Sequence, residues 1–132
     1  MIELIVMAAL AKAPVIAPDH KLSCPTGTKQ VRTSSLVACD EGGRVFHGPY
    51  ISLYADGKVE AVGQSEHGFR SGKWSFYDAK GTLVGETEFK RGNFHGRRVF
   101  YNPDGSLKSE ETYATGQLVT VSGPGGPTRT TR

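Results

Sequence analysis

The sequence is short of large apolar residues and cysteines, and it has no long hydrophobic run. Of its 132 residues 37% are hydrophobic and 17 are glycine, while Leu, Ile and Val are scarce compared with an average globular core. The apolar run from Leu4 to Ala11 is far shorter than the roughly 20 residues that a membrane-spanning helix needs. The length suits one domain. This composition favours a small domain of short strands and many turns.

The charge is not concentrated in one sign. The formal net charge is +3, but residues 44–118 hold ten Lys or Arg against nine Asp or Glu, which leaves +1 (10 − 9) for that region. Nucleic-acid-binding modules usually gather basic residues on one face, whereas acids are interleaved with the bases here. We therefore expect no nucleic-acid partner.

The two cysteines, Cys24 and Cys39, lack the CxxC spacing of a zinc half-site. An even count in a small glycine-rich chain favours a single disulfide that closes a short loop. Two unlinked buried thiols are the alternative, and the cellular compartment decides between them.

Residues 1–17 predict either a signal peptide or an apolar N-terminal segment. The apolar run is followed by small residues, as in a signal peptide, but the residues before it include Glu3 and no Lys or Arg. We expect export to the periplasm, the envelope or the medium, and a cytoplasmic protein with a buried first strand is the alternative. Residues 18–43 then form a lead-in that carries the cysteine pair.

Glycines recur with a period of 24 residues. Three columns keep this spacing without a gap: Gly48, Gly72 and Gly96; Gly57, Gly81 and Gly105; Gly68, Gly92 and Gly116. An internal period of this length is the signature of a repeat array. The predicted repeats are residues 44–68, 69–92 and 93–116.

Each repeat is predicted to be a β-hairpin. Apolar residues alternate with polar ones along two segments of the second repeat, and the turns ADG, AKG and PDG separate the two segments of each unit. The small column of Ala61, Gly85 and Ser109 leaves room for a broad ring such as that of Trp74. The predicted packing residues are Tyr50, Trp74, Phe76, Leu83, Gly85, Phe89 and Leu107.

The predicted fold class is therefore all-β: a single-layer antiparallel sheet of three consecutive hairpin repeats, with six or seven strands. Residues 119–122 of QLVTVS are predicted to be a capping strand, and residues 123–132 to be a disordered tail. An open sheet has unpaired edges, so we expect a monomer or an edge-paired dimer.

The three segments HGPYISLYADGKVEAVG, SGKWSFYDAKGTLVGETEF and HGRRVFYNPDGSLKSEETY resemble the MORN repeat. The likeness is to a bacterial 24-residue variant that is often labelled the antitoxin of a toxin–antitoxin pair. The resemblance implies a binding scaffold for another protein, sometimes with lipid headgroups, and the label implies neutralisation of a toxin.

Catalytic chemistry finds no support in the sequence. GxSxG, P-loop and HExxH motifs are absent. His95 has His47 and Ser71 at the equivalent positions, so we expect it to cap a turn. Zinc bound by His47, His67 and His95 would need three separate turns to meet, so we expect no metal site. Without a catalytic motif we also expect no cofactor and no enzymatic activity.

Two groups of residues are candidate binding sites. Lys90, Arg91, Arg97 and Arg98 bracket one turn and are expected to converge there. We expect them to form a solvated, partly salt-bridged face, and contact with an acidic partner or an anionic lipid surface is the alternative. Tyr54, Tyr77 and Tyr101 occupy equivalent positions, and either pack between hairpins or present a stripe for a protein contact. The preferred function is a non-catalytic scaffold for protein–protein interaction; an envelope- or membrane-associated scaffold and an antitoxin are the alternatives.

Overall fold

A computed structural model describes residues 12–14, 16, 20–123 and, for the backbone alone, 129–130, and every regular element in these ranges is a β-strand. None of these residues belongs to a helix long and apolar enough to cross a membrane. The strands are β1 (Lys29–Arg32), β2 (Leu36–Asp40), β3 (Phe46–Leu53), β4 (Val59–Glu66), β5 (Phe69–Tyr77), β6 (Leu83–Lys90), β7 (Asn93–Tyr101), β8 (Leu107–Ala114), β9 (Gln117–Ser122) and β10 (Arg129–Thr130).

All strands lie in one antiparallel sheet whose order follows the chain from β1 to β10. The all-β class and the hairpin order are confirmed, but the predicted number of six or seven strands is wrong for the described residues. Two additional strands come from the predicted lead-in, where Val31 pairs with Ala38 and Val37 pairs with Ile51. β-Branched residues at these positions suit a sheet, although this segment lies outside the 24-residue period.

Each predicted repeat is one hairpin, formed by β3–β4, β5–β6 and β7–β8. Two-residue turns then join one repeat to the next. In the first of these turns His67 and Gly68 both have positive φ, at 47° and 95°. This is the pattern of a type I′ turn, which matches the twist of the strands that it joins.

The first glycine of each repeat lies inside a strand, at a bulge. Val62 pairs with Ser75 and Gln64 pairs with Ser71, so the single residue Gly63 on β4 faces three residues on β5. Gly72, one of those three, has a φ of 71°, and its equivalents Gly48 and Gly96 also have positive φ. Glycine adopts this conformation without steric cost, which explains the column. Such bulges also increase the local twist of the sheet.

One side of the sheet, the first face, is covered in part by the N-terminal segment, by which we mean the described residues between Lys12 and Cys24. Ala13 donates a backbone hydrogen bond to the Gly81 carbonyl over 2.8 Å, and Leu22 packs against the sheet. The buried residues of this core are Leu22, Val37, Cys39, Ile51, Leu53, Val59, Val62 and Tyr77. The predicted disulfide is confirmed: Cys24 and Cys39 are bonded, with 5.5 Å between their Cα atoms.

The opposite side, the aromatic face, carries most of the predicted packing residues. Trp74 is fully buried there, and its Nε1 donates to the Gln64 carbonyl over 2.9 Å. A Cβ atom added to Gly63 would overlap the indole ring. Ala61 of the small column lies in the same buried cluster as Trp74, but the indole ring lies directly against Gly63, which the repeat columns do not single out, because the bulge at Gly72 shifts the ring. Gly85 instead lies beneath Phe100.

The ends of the chain agree with the predictions only in part. β9 covers the edge of β8 and extends through the predicted capping strand 119–122. Residues 123–132 were predicted to be a disordered tail, yet Arg129 and Thr130 pair with Val121 and Thr120 as β10. Most of the predicted signal segment lies outside the described residues, and the edge-paired dimer stays a prediction.

Candidate interaction surface

The aromatic face presents a continuous row of rings from β3 to β8, in which every strand except β4 supplies a ring. Ring centroids follow one another at 5.4 Å (Phe46 to Tyr50), 5.5 Å (Tyr50 to Trp74), 6.2 Å (Trp74 to Phe89), 5.5 Å (Phe89 to Phe94) and 4.9 Å (Phe94 to Tyr113). These separations are typical of favourable aromatic pairs. The period of the repeat places rings at one register of successive hairpins, and the rings join those hairpins into one surface.

Three arginines lie over this row. The guanidinium of Arg70 is 4.6 Å from the Trp74 ring and 5.5 Å from that of Phe89. Arg98 lies 4.5 Å from Phe94 and 4.8 Å from Phe100, and Arg44 lies 5.9 Å from Phe46. Cation–π attraction holds these charges on the rings. The aromatic face therefore combines an apolar floor with positive charge.

A shallow groove of about 270 Å³ lies on this face and includes both Arg70 and Arg98 in its walls. Phe76, Phe89 and Phe100 contribute to its lining, together with Gly85. Arg98 already interacts with Glu111 at 3.4 Å. Arg70 is exposed, so its N–H groups can reach a carboxylate from outside.

The tyrosine stripe belongs to the packing of the sheet. Tyr77 is 2% exposed, which makes the predicted partner contact wrong for this residue. Tyr54 donates a hydrogen bond to the Tyr77 carbonyl over 2.6 Å, and Tyr101 donates one to Glu86 over 2.9 Å. Burial raises the pKa of all three phenols. These hydroxyls link neighbouring hairpins, in agreement with the packing alternative.

The predicted basic group does not converge. Arg97 and Arg98 are consecutive strand residues, so their side chains point to opposite faces. Arg97 forms a bidentate ion pair with Glu110, in which Nε donates to Oε2 over 2.7 Å and Nη2 donates to Oε1 over 3.1 Å. This pairing lowers the pKa of the Glu110 carboxyl and raises that of Arg97. The prediction of four converging cations is wrong; Lys90 and Arg91, both exposed, remain at the turn.

His47 and His95 cap turns, as predicted for His95, but the capped turn is the one that follows the hairpin. His95 accepts a hydrogen bond from the Thr115 N–H at 3.4 Å, and His47 accepts one from the His67 N–H at 3.1 Å. The expectation that histidines of different turns stay apart is wrong for His47 and His67, whose rings stack at 4.1 Å. Sequence reasoning missed this pair, although both positions are nearly equidistant from the ADG turn.

Two parts of the chain, residues 70–91 and 94–118, match the sequence model of the MORN repeat variant. The chain carries MORN repeats. The two matched MORN repeats coincide with the β5–β6 and β7–β8 hairpins and extend into β9. The β3–β4 hairpin has the same period and turn chemistry but lies outside the match.

Solved structures share the fold of this MORN array. The glycosylation-associated protein (Gap123) complex from Streptococcus agalactiae matches at 15% identity with a TM-score of 0.50, over 92% of this chain and 23% of that one. A GtfA/B complex matches at 16% identity and the same TM-score of 0.50, over 91% of this chain and 24% of that one. This chain thus spans about a quarter of the length of those proteins, and the likeness extends to fold alone. No curated protein matches the sequence.

Proposed function

We propose that this protein is a non-catalytic scaffold that binds another protein through its aromatic face. The observation that carries the proposal is the groove beside Arg70 and Arg98, where rings form the floor and Arg70 presents a guanidinium to solvent. Large aromatic residues and arginine dominate the energy of protein interfaces. The N-terminal segment covers part of the first face, whereas none of its described residues packs against the row of rings on the aromatic face.

The chemistry of the groove favours a partner segment that combines an acidic and an apolar side chain. A carboxylate would reach Arg70 while the apolar group lies on the neighbouring rings, and the low exposure of the rings would strengthen the ion pair. The two structural neighbours described above are complexes by name, which adds support to an interaction role.

Site-specific photocrosslinking in the native cell tests this proposal. A benzophenone amino acid at Phe100, on the aromatic face, should give a discrete adduct with one protein. The same probe at Lys73, whose side chain is 51% exposed beside Glu86 on the first face, should not. Adding Arg70→Glu to the Phe100 probe should remove the adduct, whereas Lys108→Glu, an equal charge change at an exposed site, should leave it. Adducts of equal yield from both faces would refute the assignment.

The second candidate is a scaffold at an anionic surface. Lys90 and Arg91 support it, since both are exposed at the β6–β7 turn and lie beside a shallow depression that also includes His95. Flotation with vesicles that contain anionic lipid measures this directly, and Lys90→Glu with Arg91→Glu should then abolish binding. Unchanged flotation of that variant at low salt would eliminate the basic turn as a membrane contact.

Export and an antitoxin role are further proposals. The disulfide suits an oxidising compartment, which supports export. The antitoxin role rests on the family label, and co-expression with the product of the neighbouring gene would test it by rescue of growth. Mass spectrometry of the native protein would locate the mature N-terminus and the state of the two cysteines.

A further inference from the structure

One group of side chains outside the aromatic face has the composition of a metal site. Glu41, His47 and His67 lie together at one end of the sheet, and one potential ligand atom from each lies within 4.8 Å of the others. His67 Nδ1 is 3.1 Å and 3.2 Å from the two carboxylate oxygens of Glu41. Two imidazoles and a carboxylate are a ligand set that zinc prefers, with water as the fourth ligand.

Backbone hydrogen bonds hold the three residues in place. Glu41 follows β2, and its N–H donates to the Val45 carbonyl over 2.9 Å, which closes the β2–β3 turn. His47 lies on β3 next to Phe46, whose carbonyl accepts from the Gly68 N–H over 2.8 Å. His67 occupies the β4–β5 turn at a positive φ of 47°. Three segments therefore bring the ligands together without large backbone movement.

The array itself provides a comparison for this group. His95 in the third repeat makes the same kind of turn cap as His47, but its partner in the turn is Thr115. Arg91 occupies the corresponding turn of the second repeat. Among the three repeats, only the first has the stacked pair, and the carboxylate beside it comes from the lead-in, so the repeat structure does not account for this group.

We propose that Glu41, His47 and His67 bind one divalent zinc ion at this end of the sheet. The rings stack at 4.1 Å with their planes 20° apart, so coordination requires a rotation of the His67 side chain, which is 66% exposed and has room to turn. A metal bound to Nδ1 of His47 replaces the hydrogen bond from the His67 N–H, and that N–H then turns to water. Cys24 and Cys39 are joined in a disulfide and offer no thiolate.

Titration of the oxidised full-length protein with zinc chloride in a non-chelating buffer tests the proposal by calorimetry. We expect saturable binding of one ion per chain. Glu41→Gln, which keeps the side-chain shape, and His67→Asn, which tolerates positive φ, should each weaken binding about tenfold or more. His95→Asn is the matched control and should leave the affinity unchanged.

A second readout separates coordination from a general effect on folding. Zinc should shift the ¹H–¹⁵N resonance of the His67 amide, whose hydrogen bond is displaced, and should leave that of Thr115 in place. It should also raise the melting temperature of the native chain but not that of Glu41→Gln. Absence of saturable zinc binding would overturn the proposal. So would equal weakening by His95→Asn, or full retention of zinc by the His67→Asn and Glu41→Gln variants.

Discussion

The first and third repeats share a sequence period but are stabilised in different ways. Three equivalent positions on the first face show the change: Val62 is 1% exposed, Glu86 is 8% exposed, and Glu110 is only half-buried and bound to Arg97. The N-terminal segment covers the first position and ends near Thr82. Apolar burial therefore stabilises the first repeat, while ion pairs and cross-strand rings hold the third.

The match to the MORN repeat variant covers the second and third repeats and omits the first, so the repeat with the most apolar burial is the one that the family pattern does not match. The first repeat packs under the N-terminal segment, and a Cβ atom at Gly48 would lie 2.7 Å from Pro25. The strands of the first repeat therefore make contacts with the N-terminal segment that the third repeat does not make. A repeat can thus depart from its family pattern where the rest of the chain adds a core.

Trp74→Ala should give the largest loss of stability, and it can be compared with a change at Arg98, the equivalent position of the third repeat. Truncating this fully buried ring should lower the free energy of unfolding by about 3–5 kcal/mol. Arg98→Ala, at the equivalent position of the third repeat, should lower it by about 1 kcal/mol or less. Denaturant unfolding of both variants measures the difference. Equal losses would mean that the third repeat is as tightly packed as the second.

Removing the disulfide should weaken the two ends of the sheet unequally. Replacing Cys24 and Cys39 by serine opens a loop with a sequence separation of 15 and should lower the free energy of unfolding by about 3 kcal/mol. Amide exchange should accelerate in β2–β4, which lie under the N-terminal segment, more than in β7–β9. Uniform acceleration would instead show that the whole sheet unfolds as one cooperative unit.

Tyr101→Phe should test the contact between the second and third repeats, where Tyr101 donates a hydrogen bond to Glu86. The change leaves the buried carboxylate of Glu86 without the phenol donor and should lower the free energy of unfolding by about 1–2 kcal/mol. The folded-state pKa of Tyr101 is raised above 10.0, so its contribution is complete below pH 10.0 and is lost as pH rises through the folded value. The variant should therefore lose less stability than the parent in alkaline denaturation. A parallel loss in both would show that ionisation of Tyr101 does not cause the alkaline loss.

Glu110→Gln should have the smallest effect, because the pair with Arg97 is largely exposed. We expect a loss of about 0.5 kcal/mol or less near neutral pH, reduced further by salt. The pKa of Glu110 is lowered from 4.5, so this stability is present above pH 4.5 and disappears as pH falls through the folded value. Unfolding curves at pH 7 and pH 3 should differ less for the variant. Val62→Ala, in the covered repeat, should show no such pH dependence.

The sequence predicts the hairpins well because period and turn chemistry are local. Gly57, Gly81 and Gly105 end the hairpin turns with positive φ, as expected, and the disulfide agrees with the prediction from an even cysteine count. The strands of the lead-in were missed, since β1 and β2 lie outside the period. The contact between Trp74 and Gly63 was also missed, because a bulge changes the register by two residues and the 24-residue spacing contains no sign of that shift.

The candidate surfaces were harder to predict than the fold. The alternation of strand residues already separates Arg97 from Arg98, so the supposed cluster could have been rejected from the sequence. Pairing of His47 with His67 could be inferred from their symmetric distance to the ADG turn. The carboxylate of Glu41 could not, because its position depends on the β2–β3 connection and on the bulge at Gly48.

The N-terminal segment has a fixed span, since it is tied to β2 by the bond between Cys24 and Cys39 and reaches its other anchor where Lys12 pairs with Thr82. The distance between these two anchors limits how many hairpins the N-terminal segment can cover. A hairpin duplicated after β8 would lengthen the array without changing that distance, whereas one inserted between β2 and β6 would move the anchors farther apart than the segment can reach. Evolutionary growth of such a protein should therefore proceed from one end.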